Sequence, residues 1–203
     1  MLQGDSLRSE ELHAALTGRH IGNQIVIVEE TSSTNDLAWQ MAQQGSPDGL
    51  VVIAESQTGG RGQRGNRWES AAHLGLWFSI LLRPKIGPAD SARLTDWAAE
   101  AVALTIEEET GLEAHIKLPN DIYLSARKVA GVLVEMRVEK DGGYAAIVGI
   151  GVNVNQADRD FSEQVRKSAG SLAMAAGRQF DRQVLALALL QKLDQNYRAL
   201  FAL

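Results

Sequence analysis

The stretch TGGRGQRGNRWESAAHLGLWFSILLRP, residues 58–84, decides between several fold classes. Its glycines at 60, 62 and 65 have the G-x-G-x-x-G spacing of a dinucleotide-binding loop, which requires a helix directly after it. Here the loop is followed by LGLWFSILL, whose short length and content of β-branched and aromatic residues are typical of a strand. No Lys-Ser or Lys-Thr follows the last glycine, and no H-R-D or D-F-G lies downstream, which argues against a Walker loop and a protein kinase. The loop is therefore predicted to join two strands.

Patterns on both sides of this loop predict four helices and six strands. Ser33 or Thr34 can cap the second helix, and Asp181 can cap the last one. The turn EKDGG at 139–143 is a hairpin signal. The predicted helices cover 9–16, 35–44, 89–110 and 181–203, and the predicted strands cover 24–30, 49–56, 74–84, 114–124, 128–138 and 144–155. Because hairpins replace strict β-α-β alternation, we predict an α+β fold with a mixed, largely antiparallel sheet packed by helices.

Several large side chains are expected in the core. The third helix places its apolar residues on one face, at Leu94, Trp97, Ala98, Ala101, Leu104 and Thr105. We interpret Trp39, Trp77 and Trp97 as core residues. Asn153 and Asn155 occupy alternate positions of an apolar strand, so both side chains are expected to face the same way and to need partners.

The length and composition favour a single domain. With 203 residues, 45% of them apolar, the chain is long enough for one core and short for two. We divide it into a lead-in helix and linker (1–23), a motif-bearing core (24–155) and a C-terminal helix (180–203). The net charge of −5 argues against nucleic acid or an anionic membrane as partner. The absence of cysteine excludes disulfides and thiol chemistry and fits a reducing cytoplasm, and no run is long and apolar enough to cross a bilayer.

The glycine loop stands out locally because it is basic on an acidic background. Glycines at 59, 60, 62 and 65 permit positive φ and can expose backbone N–H groups to an anion. Arg61, Arg64 and Arg67 add donors suited to carboxylate or phosphate. We expect a mobile loop that an anionic ligand orders; the alternative is a solvated connection. Two later stretches, KLPNDIYLSARKVAGVLVE (117–135) and IVGIGVNVNQ (147–156), bear on this choice.

Five motifs in order resemble the catalytic domain of biotin protein ligases. That family has S-T-N, then Q-x-x-G-R-G-R-x-G-R-x-W, K-W-P-N-D, R-K-x-A-G-I-L-x-E and G-x-G-x-N. This chain has Ser33-Thr34-Asn35, Gln57 with residues 60–68, then 117–121, 127–135 and 149–153. The resemblance implies the biotin/lipoate ligase fold, which is like that of class II aminoacyl-tRNA synthetases. It also implies a reaction in which biotin and ATP form biotinyl-5′-adenylate, and a lysine of a biotin carboxyl carrier protein or domain then displaces AMP.

The resemblance also implies roles for individual residues. The implied catalytic residues are Lys128, between biotin carboxylate and α-phosphate, and Arg61. The implied biotin-binding residues are Ser33, Thr34, Gln57, Gly60, Arg61, Lys128 and Gly131. The implied ATP- and adenylate-binding residues are Arg61, Gly62, Arg64, Gly65, Trp68, Lys117, Asn120 and Asn153. Asp121 is the implied ligand of Mg²⁺, an ion that prefers oxygen donors and keeps several waters.

Each of these roles has a simpler structural alternative. Ser33 and Thr34 can act only as helix caps, and Asp121 can simply close a turn. Lys128 can be a solvated lysine at a strand edge.

This chain departs from the family pattern at three positions of its motifs. Gln63 and Asn66 stand where arginines are usual, so either Arg64 and Arg67 take their place or the adenylate is retained less well, and we expect the weaker retention. Leu118 replaces the tryptophan of K-W-P-N-D, which implies a wider biotin pocket. From the lengths before and after the matching motifs, we expect neither the N-terminal winged helix nor the C-terminal β-barrel that many members carry.

Two other functions remain open. Lipoate ligases and lipoyl or octanoyl transferases share the fold, but their R-R-x-x-G-G-G-x-V-x-H-D stretch is absent here. A non-catalytic binder of biotin or biotinyl-adenylate is the second alternative.

Overall fold

The computed structural model describes residues 7–140 and 142–201. Its strands are β1 (Gln24–Thr31), β2 (Leu50–Gln57), β3 (Gly75–Leu82), β4 (Ala114–Lys117), β5 (Asp121–Leu124), β6 (Arg127–Val138) and β7 (Tyr144–Asn153). Its helices are α1 (Ser9–Ala15), α2 (Thr34–Gln43), α3 (Ala92–Thr110), α4 (Leu172–Ala176) and α5 (Arg182–Phe201). The four helices and the extended runs predicted from the sequence are all present, and α4 is an addition. None of the helices among the described residues combines the length and apolarity that a membrane span requires.

The seven strands form one sheet in the order β1-β2-β3-β7-β6-β5-β4. Only β1 and β2 pair in parallel, and every other neighbouring pair is antiparallel. The β6–β7 hairpin is in the register that pairs Val138 with Tyr144, as the glycine-containing turn between them predicts. The prediction of a mixed, largely antiparallel sheet packed by helices is confirmed.

The two faces of the sheet are covered by different helices. The larger core lies where α1, α3 and α5 pack on one face, and it includes Trp97 and Tyr197. The smaller core lies under α2 on the opposite face, with Ala38 and Ala42 against Leu81 and Ile147. Because side chains alternate along each strand, β7 contributes to both cores. The candidate site lies on this second face, beside the N-terminal end of α2.

The helix ends agree with the sequence prediction at Asp181 and Gly45 but not at Ser33. The Asp181 carboxylate accepts the backbone N–H groups of Gln183 at 2.8 Å and Val184 at 3.1 Å, so it caps α5 as predicted. Gly45 has a φ of 89° just after α2. Ser33 is the residue before α2, but its side chain makes no capping hydrogen bond. The Thr34 N–H is instead accepted by Gln57 Oε1 at 2.9 Å. The capping alternative for Ser33 therefore has no hydrogen bond to support it.

Four expectations about local structure were wrong. Residues 114–124 form two strands with a turn at 118–120, because Pro119 has no N–H to donate to a ladder. Leu104 is 37% exposed because the buried arc of α3 is centred on Val102 and Ile106, and Leu104 lies at its edge. Trp39 is half-buried, with the Arg137 guanidinium 5.3 Å from its ring centroid, whereas Trp77 and Trp97 are buried as predicted.

The fourth wrong expectation concerns Asn155. It lies beyond the end of β7 and exchanges hydrogen bonds with the backbone of Phe180 at 2.8 and 2.9 Å. Its side chain therefore joins the loop after β7 to the segment before α5.

Candidate active site

The floor of the site is a glycine-lined part of β6 and β7. Gly131 and Gly151 are paired across the two strands, and Gly149 lies two residues earlier on the same face. A Cβ atom on Gly151 would lie 2.5 Å from Cε2 of the Trp68 indole, and one on Gly131 would lie 3.1 Å from its Cζ3. The indole therefore packs directly on the backbone of the sheet, at a cavity of about 280 Å³ that includes these glycines in its lining. Only glycine permits so close an approach.

One wall of the cavity is a chain of uncharged hydrogen-bonding groups. The Thr34 hydroxyl lies 3.2 Å from Gln57 Oε1 and 2.7 Å from Ser79 Oγ, while Gln57 Nε2 donates to Ser70 Oγ at 2.9 Å. Ser33 and Thr34 are each 3% exposed, and both line the cavity with Gln57. Neutral groups of this kind can pair with a polar, uncharged ligand group without burying a charge.

The glycine loop is a small hairpin that covers the cavity. The Trp68 N–H donates to Gly60 O at 3.0 Å, and the Gly62 N–H donates to Asn66 O at 2.7 Å. Of the four loop glycines only Gly65 has positive φ, and the Gly59 N–H is also taken, by Ser32 O. The N–H groups of Gly59 and Gly62 are therefore used by backbone carbonyls and do not form part of an anion site. Positive charge on the loop comes from its arginines.

The predicted loop residues reach the cavity unequally. Arg61, Gly62, Arg64 and Trp68 line it, together with Gln63 and Asn66, the two departures from the family pattern. Gly60 and Gly65 are not among the residues that line it. A Cβ on Gly60 would lie 2.6 Å from Trp68 O, so Gly60 allows the two arms of the hairpin to approach. Gly65 lies at the hairpin tip with a φ of 79°.

Lys128 and Asp121 form an ion pair at the opposite wall. Their Nζ and Oδ1 atoms are 2.6 Å apart, and Lys128 Nζ lies 5.1 Å from the Trp68 ring centroid. Lys128 follows Arg127 at the start of β6 and pairs with Tyr123 of β5, so it is not on an edge strand of the sheet. The carboxylate and the aromatic face together fix the position of the lysine ammonium.

The residues around Asp121 do not fit a resident metal ion. Among the described residues, no group of three or more His, Cys, Asp or Glu side chains could hold one. Asp121 offers one carboxylate, and Lys128 already neutralises it. The role of Asp121 as a ligand of nucleotide-bound Mg²⁺ stays a prediction, since such an ion needs only one or two carboxylates beside phosphate oxygens and waters.

The other predicted nucleotide-binding residues are divided between this cavity and an adjoining one. Lys117 and Asn120 line the first, where Asn120 Nδ2 donates to Val132 O at 2.7 Å. Asn153 lines the second cavity, of about 720 Å³, and its Nδ2 donates to Gly170 O at 2.9 Å. Both asparagines are buried and hold loops in place.

The second cavity has a wall that the sequence analysis missed. Asn66, Arg67, Trp68 and Lys128 line both cavities, and residues 161–169 form much of the far side. This segment has no strand or helix periodicity, so no local pattern marks it. It is fixed by backbone hydrogen bonds between Lys128 and residues 168 and 170, and by Ser162, whose N–H and hydroxyl donate to the Glu69 carboxylate.

Arg61 is held by two carboxylates that the sequence analysis did not single out. Asp36 accepts from Nη1 at 2.6 Å and from Nη2 at 2.8 Å, and Glu135 Oε2 lies 3.3 Å from Nη2. The hydrogen bond from Arg61 lowers the pKa of Asp36, and the hydrogen bond to Asp36 raises the pKa of Arg61. The signal in the sequence was position: Asp36 directly follows Ser33-Thr34-Asn35, and Glu135 closes the R-K-x-A-G-I-L-x-E motif.

Comparison with known proteins gives one family. Residues 27–155 match the model of the Biotin/lipoate A/B protein ligase family. The bifunctional ligase/repressor BirA of Bacillus subtilis (strain 168) is 37% identical over 192 residues, 95% of this chain and 59% of that protein. The biotin–[acetyl-CoA-carboxylase] ligase of Mycobacterium tuberculosis is 31% identical over 197 residues, 93% of this chain and 70% of that protein.

A solved structure agrees with the sequence relatives. The biotin protein ligase from Aquifex aeolicus, in complex with biotin and ATP, has a TM-score of 0.75 and 32% sequence identity. The superposed region covers 88% of this chain and 72% of that one. This chain spans about three fifths of the length of the Bacillus relative. By sequence and by fold, the chain belongs to the biotin/lipoate A/B protein ligase family.

Proposed function

We propose that this chain is a biotin protein ligase. In the first step a biotin carboxylate oxygen attacks the α-phosphorus of ATP, which forms biotinyl-5′-adenylate and releases pyrophosphate. In the second step the amine of a lysine on a biotin carboxyl carrier protein or domain attacks the biotinyl carbonyl carbon, loses a proton and displaces AMP. ATP and biotin are therefore substrates, and residues 1–203 act as one catalytic domain.

The observation that carries this proposal is the arrangement of neutral polar, apolar and charged side chains around one cavity. Neutral donors and acceptors at Thr34 and Gln57 lie at one wall, and the Lys128 cation lies at the other. Biotin matches that arrangement, because it is a small polar ring system with a carboxylate at the end of an apolar chain. The Trp68 indole on the glycine floor supplies an apolar surface between the two ends. The Aquifex relative was solved with biotin and ATP bound.

Lys128 is the residue we assign to the reacting groups. The biotin carboxylate and the α-phosphate repel each other, and an ammonium between them offsets charge as it builds up. Arg61 lines the same cavity and adds a second cation. Mg²⁺ would come bound to the ATP phosphates and neutralise their charge. The second cavity, with Asn153 and residues 161–169, is the remaining space for the nucleotide.

Biotin-dependent exchange of labelled pyrophosphate into ATP tests this function without a carrier protein. We expect exchange with biotin and none with lipoate or octanoate. Exchange supported only by lipoate would identify a lipoate ligase. Biotin binding without exchange would identify a non-catalytic binder, and either result would contradict the proposal.

The same assay tests the role of Lys128. We expect Lys128→Met to slow biotin-dependent exchange by roughly 10²–10³-fold, the usual effect of removing one group that stabilises transition-state charge. The matched control is Lys192→Met, which removes a lysine that pairs with Glu108 between α3 and α5. A rate for Lys128→Met equal to that of the control would remove Lys128 from the reaction.

A further inference from the structure

Arg61 is held at the cavity by a pair of carboxylates from two different elements. Asp36, in the first turn of α2, makes a two-pronged contact with Nη1 and Nη2 at 2.6 and 2.8 Å. Glu135 of β6 contacts Nη2 at 3.3 Å. Two parallel charge-assisted hydrogen bonds fix the orientation of a guanidinium as well as its position. The middle of the glycine loop is thereby tied to a helix and to a central strand.

The Glu135 carboxylate is itself fixed by buried groups. Glu135 Oε2 accepts from Asn35 Nδ2 at 2.7 Å, and Asn35 Oδ1 accepts from Ser79 Oγ at 2.6 Å. Asn35 is 4% exposed and Ser79 is fully buried in β3. The Ser79 hydroxyl also lies 2.7 Å from the Thr34 hydroxyl, which is part of the neutral wall. The anchor of Arg61 is therefore continuous with the polar groups that line the other side of the cavity.

A second arginine balances the charge of this cluster. Arg137 Nη2 lies 3.5 Å from Asp36 and 3.6 Å from Glu135, and its guanidinium packs over Trp39. Two carboxylates thus face two guanidinium groups, so the cluster has no net charge that a ligand must neutralise.

The contacts leave part of Arg61 free for a ligand. Asp36 and Glu135 take one hydrogen of Nη1 and both hydrogens of Nη2. Within residues 7–140 and 142–201, Nε and the remaining hydrogen of Nη1 have no protein acceptor, and Arg61 lines the cavity. An anionic ligand can therefore be contacted without breaking the pair with Asp36.

We propose that Asp36 and Glu135 are positioning residues that hold Arg61, and with it the glycine loop, over the cavity. The effect on substrate binding rests on the proposed function, whereas the effect on the loop does not.

Limited proteolysis by trypsin in the absence of biotin and ATP tests this role directly, because the loop contains Arg61, Arg64 and Arg67. Asp36→Asn keeps the size of the side chain and removes its charge. We expect cleavage at the loop arginines to become about tenfold faster, since proteolysis follows the population of the open form. Glu135→Gln, whose amide oxygen can still accept from Asn35, is expected to have a smaller effect in the same direction.

Glu108→Gln is the matched control, because it neutralises a carboxylate paired with Lys192 far from the loop. Loop cleavage in this variant should equal that of the unmodified chain. Unchanged cleavage in both Asp36→Asn and Glu135→Gln would overturn the proposal. So would equal acceleration at arginines outside the loop, since that result indicates general unfolding.

A second readout separates positioning from the proposed reaction. In pyrophosphate exchange, Asp36→Asn is expected to raise the KM for biotin about tenfold, a loss of 1.4 kcal/mol, with little change in kcat. An unchanged KM with faster loop cleavage would overturn the link to substrate binding. If the unmodified chain shows no exchange, the proposed function fails, while the proteolysis result still decides the role of Asp36.

Discussion

At the scale of single residues, the site depends on glycines that lie under an aromatic ring. Gly151 and Gly131 bring the β6–β7 backbone into contact with the Trp68 indole, whose Nε1 has no hydrogen-bond partner among the described residues. Sequence reasoning named Gly131 as a biotin-binding residue, on the resemblance to the ligase family. It did not identify the indole as the neighbouring group, because that contact joins residues far apart in the chain. The role of Asp36 was missed for the same reason.

Gly151→Ala tests this contact. Its Cβ would lie 2.5 Å from the indole, so Trp68 has to leave the floor. We expect a loss of about 1–3 kcal/mol in the free energy of unfolding from overpacking. We also expect a roughly tenfold weaker Kd for biotin, which corresponds to 1.4 kcal/mol. Urea unfolding and titration calorimetry measure the two effects.

Gly87→Ala is the control, because its Cβ would have no neighbour within 4 Å and its φ is −91°. It should change neither quantity. Biotin binding that is equally strong in Gly151→Ala would show that the ligand does not use the surface formed by Trp68.

At the scale of elements, the sequence predicted most of the sheet because strand patterns and turn residues are local signals. QIVIVEE and KVAGVLVEMRV became strands, and the turn between β6 and β7 was recognised from EKDGG. The β4–β5 hairpin was read as one strand although Pro119 interrupts it. The wall at residues 161–169 was not predicted because its conformation comes from contacts with β6 and Glu69 and not from a repeat of its own.

The position of α5 depends on an ion pair buried at its first residue. Arg182 is fully buried, and its Nη1 lies 2.5 Å from Oε2 of Glu55 on β2. A cation at the start of a helix gains nothing from the helix dipole. The pairing with Glu55 therefore determines the position of the Arg182 side chain. His73 Nδ1 also lies 3.3 Å from the same carboxylate.

Arg182→Met is expected to cost about 3–5 kcal/mol in the free energy of unfolding, because it leaves Glu55 buried without its guanidinium partner. Arg198→Met in the same helix is the control, since that side chain is 49% exposed and lies 3.9 Å from Asp194. Exposed pairs of this kind contribute less than about 1 kcal/mol. Equal losses in the two variants, measured by urea unfolding, would contradict the structural role of the Arg182–Glu55 pair.

At the scale of the whole molecule, one sheet serves two cores. Neighbouring residues of β7, Ile147 and Val148, are both fully buried and point to opposite faces, the first under α2 and the second toward α3 and α5. Both cores pack on the same strands. If the strands under one core unfold, the other core therefore loses one of its sides. The site draws on α2 and the sheet, since Thr34 begins α2, Ser33 directly precedes it, and the sheet supplies Lys128 and the glycines. We therefore propose that the 203-residue chain unfolds as one unit.

Differential scanning calorimetry of the chain alone tests this cooperativity. A single transition is expected, with calorimetric and van't Hoff enthalpies equal and near 140 kcal/mol, since unfolding of globular proteins absorbs about 0.7 kcal/mol per residue near 60 °C. Ile147→Ala and Val148→Ala provide matched perturbations of the two faces. Because both weaken the same cooperative unit, each should lower the one Tm, by about 2–4 °C for every kcal/mol lost. Two transitions, each sensitive to only one of the variants, would mean that the cores unfold separately and that the site joins two independently stable layers.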